Sequence, residues 1–180
     1  MKTVRANTVG YVCEALRRSV NLAAPIRFHG DIARVSSLDD DPDGPCYIPI
    51  FEVLTFRGLR FNTCPETVLE DSPMVPISAS LFLSRAPLVP NTAVTVGELL
   101  RELASTTYQA DWSLHIKCID MFEYETDLQL SESTADQALA AHDAYGGAQF
   151  GAELQFCGAE QMTDGTAVVD LIYPLNVLVR

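Results

Sequence analysis

Carboxylates are the residues of this chain whose spacing could do chemistry. In "SSLDDDPDGPCYIPIF", residues 36–51, Asp39, Asp41, Asp43 and Gly44 spell D-x-D-x-D-G. A calcium loop places oxygen ligands at its first, third and fifth positions, glycine at the sixth and a bidentate glutamate at the twelfth. Here Ile50 holds the twelfth position, Pro42 and Pro45 hold the fourth and seventh, and a strand rather than a helix is predicted to follow. The stretch is therefore not an EF-hand. Two readings stay open: a solvated, Asx-rich turn, and a divalent-cation site in which Asp39, Asp41 and Asp43 are completed by another segment or subunit. No other cofactor is expected.

A second acidic set, Glu123, Glu125 and Asp127, falls on one face of a predicted strand. Paired carboxylates can hold magnesium or move protons. The same spacing is also the ordinary wet face of a strand, and it would suit a partner's arginines or lysines. Asp120 sits on the apolar parity of that strand, which predicts a bulge or a buried polar contact. His29, the His142-Asp143 pair and Asp170 match the metal set of helical phosphohydrolases in type. They are rejected as such, because here they fall on predicted strands and one alanine-rich helix. G-x-S-x-G, S-x-x-K, Walker A and G-x-G-x-x-G are all missing. No catalytic residue is named on these grounds.

The chain has 180 residues, a formal net charge of −12 and a pI of about 4.5. One domain of this size holds a core without disulfides or metals. The acidic surplus disfavours general nucleic-acid binding, which needs excess lysine and arginine, and disfavours anionic membrane surfaces for the same reason. No apolar run reaches the length of a membrane-spanning helix, and no secretory leader is read at the start. Five cysteines, an odd number with no C-x-x-C pair, suit reduced thiols. A cytoplasmic place of synthesis is expected.

Three segments carry helical period: 8–23, with Asn7 as the expected cap, 96–107 and 134–145. Thr95 and Glu98 predict a capping box for the second. Strands are predicted at 26–35, 46–57, 75–83, 112–127, 148–157 and 166–179. In most of them apolar residues alternate with polar ones, which marks one buried and one wet face. The run 46–57 is apolar on both parities and predicts burial on both faces. Pro174 interrupts the last strand and predicts either an edge there or a strand split in two. Residues 62–76 are expected to form an exposed loop. No internal repeat is read. The expected architecture is α+β: a mostly antiparallel, twisted sheet of five to six strands with about three helices packed on it, in a single domain.

With no chemical motif found, the expected function is structural: a protein that binds protein partners, with a homo-oligomer as its own state. Glu123, Glu125 and Asp127, and Tyr173, Pro174 and Leu175 at the expected edge, are the interface candidates. Four stretches, "NTVGYVCEALRRSV", "WSLHIKCIDMFEYE", "ESTADQALAAHDAYGG" and "DGTAVVDLIYPLNVLV", give an element order that resembles the tail-terminator or tail-completion proteins of tailed phages. That resemblance implies a ring that caps a tail tube or joins it to the head, and a place in the virion. It covers roughly two-thirds of the chain by order and hydrophobic pattern and carries over no functional residue. Two alternatives are kept. One is an acidic inhibitor or immunity-type protein that plugs a basic partner. The other is a small metal-dependent enzyme built on these carboxylates and histidines.

Overall fold

Two helix starts follow directly from local chemistry. Thr95 accepts a hydrogen bond from the Glu98 amide at 3.2 Å, and the Glu98 carboxylate accepts one from the Thr95 amide at 2.8 Å. This is the capping box expected from T-x-x-E, and it opens α2, Val96–Leu103. In α1, Val9–Ser19, the cap is Thr8, whose hydroxyl accepts from the Tyr11 amide. Asn7, the expected cap, is buried and does something else, described below. The computed structural model describes residues 7–35, 47–67, 69, 71–85, 94–105, 108–119, 136–137, 139–140, 143 and 152–172.

Six strands alternate with the two helices among the described residues, in the order α1, β1 (Ile26–Val35), β2 (Tyr47–Pro65), β3 (Met74–Ser84), α2, β4 (Leu114–Cys118), β5 (Ala152–Gln161) and β6 (Ala167–Ile172). They close into a barrel in chain order, β1-β2-β3-β4-β5-β6. Neighbours are antiparallel except at two seams, where β3 runs parallel to β4 and β6 parallel to β1. This corrects the expected α+β architecture. The sheet is not open, and among the described residues it carries two bounded helices rather than about three. Residues 136, 137, 139, 140 and 143, inside the expected third helix, are helical.

Closure comes from two strands that change sheets. β2 pairs with β1 through Leu54 and with β3 from Thr55 onward. β5 pairs with β4 through Leu154 and with β6 from Gln155 onward. A register shift follows each corner, between Phe56 and Gly58 and between Phe156 and Gly158. Bulges of this kind bend a strand and let it turn from one sheet into the next. Alternation of apolar residues reveals which face of a strand is buried, but not where the strand bends.

The barrel interior and the inner faces of both helices form one apolar core. Phe28, Leu54, Leu59, Leu81, Leu83, Leu114, Ile116, Leu154, Val169 and Leu171 fill it from the strands, and Leu16, Leu99 and Leu103 from the helices. β6 has a partner on each side from Ala167 to Ile172; the break expected at Pro174 lies outside the described residues. The run 46–57 is not buried on both faces either, since Val53 is 54% exposed. The two ends of 62–76 are paired rather than looped: Cys64 faces Val75 and Pro65 faces Met74 across the β2–β3 hairpin, and Glu66, Leu69 and Asp71 between them are exposed.

Candidate functional site

The outer face of β2, β3, β4 and β5 carries the densest polar chemistry among the described residues. Alternation puts Arg60 and Asn62 there from β2, Ser78, Ser80, Phe82 and Ser84 from β3, His115 and Lys117 from β4, and Glu153 from β5. The register brings them side by side: Arg60 faces Ser80, Ser80 faces His115, and Lys117 faces Glu153.

Ser80, His115 and Glu153 therefore stand on three successive strands in the order of a nucleophile, base and orienting carboxylate. His115 Nδ1 lies 2.8 Å from Glu153 Oε1, the contact that would fix the imidazole for such a role. Ser80 does not complete the set. Its hydroxyl accepts from Asn62 Nδ2 at 2.9 Å and donates to Asn62 Oδ1 at 3.2 Å. The residue is fully buried, and Asn62 Nδ2 also reaches Ser78 Oγ at 2.8 Å. A serine whose proton goes to an amide oxygen is a structural group, and this trio satisfies its own buried polar atoms.

Part of that outer face is covered. Leu139 packs on Phe82 and Ile119, each 1% exposed. Asp143 accepts from Arg60 Nε at 2.7 Å. Glu52 and Arg85 form a two-pronged ion pair at 2.5 and 2.6 Å farther along, a geometry that fixes both side chains.

Glu153 is the group here with a clear electrostatic shift. The hydrogen bond from His115 holds its carboxyl below the usual carboxylate range, and Lys117 Nζ at 3.8 Å adds to this. A depressed carboxylate stabilises the fold above its unfolded value, and that contribution is lost as pH falls through the folded value. The difference in urea midpoint between the natural chain and Glu153→Gln is thus expected to be steady between the ordinary carboxylate value of 4.5 and neutrality. It should shrink toward zero in stronger acid. A difference that grows on acidification would contradict this sign.

On the opposite sheet, His29 and Asp170 are cross-strand neighbours. Burial pushes the His29 imidazole below its ordinary value, against the pull of Asp170. Asp143, third member of the rejected phosphohydrolase-like set, pairs with Arg60 on the other sheet, so the set is not assembled. His142 lies outside the described residues. So do Asp39, Asp41 and Asp43, the acidic set Glu123, Glu125 and Asp127, and the edge set Tyr173, Pro174 and Leu175. Among the described residues, no group of three His, Cys, Asp or Glu side chains is placed to hold a metal ion.

The feature that sequence reasoning missed is the β2–β3 arm. β4 begins beside Ala79, and β1 leaves β2 at Leu54, so the ribbon made of Asn62–Pro65 and Met74–Ser78 has no further strand beside it among the described residues. On β3, Leu83, Leu81 and Ala79 face the core; Ile77 and Val75 follow them past a register shift, where Asn62 faces Ser78 but Thr63 faces Pro76. The first three are 0–2% exposed; Ile77 is 53% and Val75 39% exposed. Phe61, opposite Ala79, is 43% exposed, and Met74 and Leu69 are exposed as well. Neither "FNTCP" nor "MVPIS" carries a charge. Alternation predicts these residues as one buried row; the register shift breaks that row, and the strands outrun the barrel.

The chain matches no protein family, no characterised protein and no solved structure among those compared. Among the described residues, no helix is long and apolar enough to cross a membrane.

Proposed function

We propose that the chain is an assembly protein that binds other protein subunits, further copies of itself first, through the apolar face of the β2–β3 arm. The observation that carries this reading is the exposed apolar surface of the arm: Phe61, Met74, Val75 and Ile77 are 39–54% exposed on a ribbon that has left the barrel. Large apolar side chains gathered on one exposed surface mark contact sites. Charge points the same way. Two copies of a chain with net charge −12 repel each other, and the arm strands are an uncharged place where they can touch. Pro65 and Pro76 remove amide donors from the arm's edges, which blunts strand-to-strand addition. Contact is therefore by side-chain face. A ring at the end of a phage tail tube is one assembly of this kind. That finer role rests on the quoted segments alone.

Solution mass tests the proposal. The natural chain is expected to sediment as an oligomer of fixed mass. Val75→Asp with Ile77→Asp should give monomers with an unchanged melting temperature, since neither side chain is in the barrel core. Loss of two apolar anchors at about 2 kcal/mol each corresponds to roughly a thousand-fold weaker association. A natural chain that stays monomeric at high concentration would remove the self-assembly reading. If such a monomer bound a basic protein with steep salt dependence, the inhibitor alternative would replace it.

A further inference from the structure

We infer that the chain is two copies of one αβββ unit joined in tandem, that the joint between them is a self-recognition surface, and that the arm is an insertion carried by the first unit alone. The element order is α1β1β2β3 followed by α2β4β5β6. The two parallel seams are the same seam seen twice. β3 meets β4 with Ala79 beside Leu114, and β6 meets β1 with Ala167 beside Ile26. Adding 88 to Ala79 gives Ala167, and adding 88 to Ile26 gives Leu114. The corner strands agree: Gly58, Leu59 and Phe61 face Phe82, Leu81 and Ala79, while Gly158, Ala159 and Gln161 face Asp170, Val169 and Ala167.

Sequence supports the equivalence at its key positions. The corners read L-x-F-x-G, as Leu54-Thr55-Phe56-Arg57-Gly58 and Leu154-Gln155-Phe156-Cys157-Gly158, with the register shift between the Phe and the Gly in both. Both helices start T-V-G, with Thr8 and Thr95 as caps. Their buried residues correspond one to one: Val9, Val12, Cys13 and Leu16 with Val96, Leu99, Leu100 and Leu103. No repeat was read from the sequence, because the helices repeat at a step of 87 residues and the corners at 100.

The joint is reciprocal. The Val9 and Gly10 amides donate to the Trp112 and Ala110 carbonyls at 3.0 and 2.8 Å, and Leu114 donates back to Asn7 O at 2.9 Å. The Val96 and Gly97 amides donate to the Ala24 and Leu22 carbonyls at 2.9 and 2.7 Å, and Ile26 donates back to Val94 O at 2.8 Å. Each unit thus grips the other's helix start with the same atoms, which is the signature of a two-fold, isologous interface. The partner that this surface fits is another unit of its own kind. At one place the units differ sharply. Five residues, Met162–Thr166, connect Gln161 to Ala167, whereas seventeen, Asn62–Ser78, connect the equivalent Phe61 to Ala79. The barrel needs only the short turn, so the arm is an addition. Thr166 and Ser78, which precede the two alanines, are both 7% exposed.

A graft tests this in the full chain: Asn62–Ser78 replaced by the sequence of Met162–Thr166. The barrel is expected to keep its near-ultraviolet circular dichroism and a cooperative melt within about 10 °C of the parent, since a shift of that size is only a few contacts. A folded graft that is monomeric supports both this inference and the arm's role in assembly. A folded graft that stays oligomeric supports the tandem unit and refutes the arm. An unfolded graft counts against the tandem unit. A second pair of variants decides independently of the graft. A Cβ on Gly10 would meet Ala110 O at 2.9 Å, and one on Gly97 would meet Leu22 O at 3.0 Å. Gly10→Ala and Gly97→Ala are expected to lower Tm by similar amounts, on the order of 5 °C, although alanine is the better helix former. One loss without the other would overturn the equivalence.

Discussion

Asn7→Ala is expected to destabilise the fold by about 2–4 kcal/mol, read as a lower urea midpoint with an unchanged slope. Asn7 is 9% exposed, and its amide spans the corner of β5. Its Nδ2 donates to Leu154 O at 3.2 Å. Its Oδ1 accepts from the Phe156 amide at 3.1 Å and from Gln155 Nε2 at 2.8 Å. The Phe156 amide lies where β5 has left β4 and the register slips, so the sheet ladder does not serve it simply. Alanine would leave a buried amide and a buried carbonyl short of partners, and an unmet buried donor costs far more than a hydrogen bond contributes net. Asn7→Asp gives a second reading. It keeps the acceptor and loses the donor, so a loss smaller than alanine's is expected at neutral pH if the Phe156 amide is the costly group. An alanine variant as stable as the parent would show that water replaces the side chain.

Phe82→Ala should cost about 3–5 kcal/mol, as large as a central core truncation. Phe82 is on the outer face of β3, where a solvated strand would carry a polar residue. It is nevertheless 1% exposed, packed with Ile119 and Leu139. The cost is expected to fall on two things at once: the cavity, and the seating of the helical residues around 139–143. Hydrogen exchange would separate them. Faster exchange near residue 139 with little change in β5 and β6 would locate the loss at the cover. A cost below about 1 kcal/mol would mean that the phenyl ring is not packed as described.

What the sequence discloses and what it conceals follow from the range of each interaction. The α2 capping box involves residues three apart, and it is legible. The inward parity of Leu114, Ile116 and Cys118, and of Ala152, Leu154 and Phe156, is legible for the same reason. Barrel closure pairs Ile26 with Ala167, and no local pattern encodes it. Ser80 reads as a wet residue because its parity is polar, yet Asn62 and the cover over the outer face bury it. Val75 and Ile77 read as buried because they share the parity of Leu81, yet they stand beyond the barrel. For Ser80 the period is right and the neighbour is unknown; for Val75 a register shift beside Asn62 also breaks the period. The T-V-G and L-x-F-x-G pairs were visible from the start, but unequal connections hid their common step.

The β1–β6 seam also sets a timetable. Ile26 is made early and its partner Ala167 late, so no barrel can close until almost all of the chain has left the ribosome. Until then β1 and β2 present an apolar inner face with nothing opposite. Non-local pairing of this kind slows folding and leaves nascent chains prone to clump. Helper proteins that hold such chains open would thus act on the first half until the last strand is made. The yield of folded material is expected to depend on that protection as well as on the stability of the finished barrel.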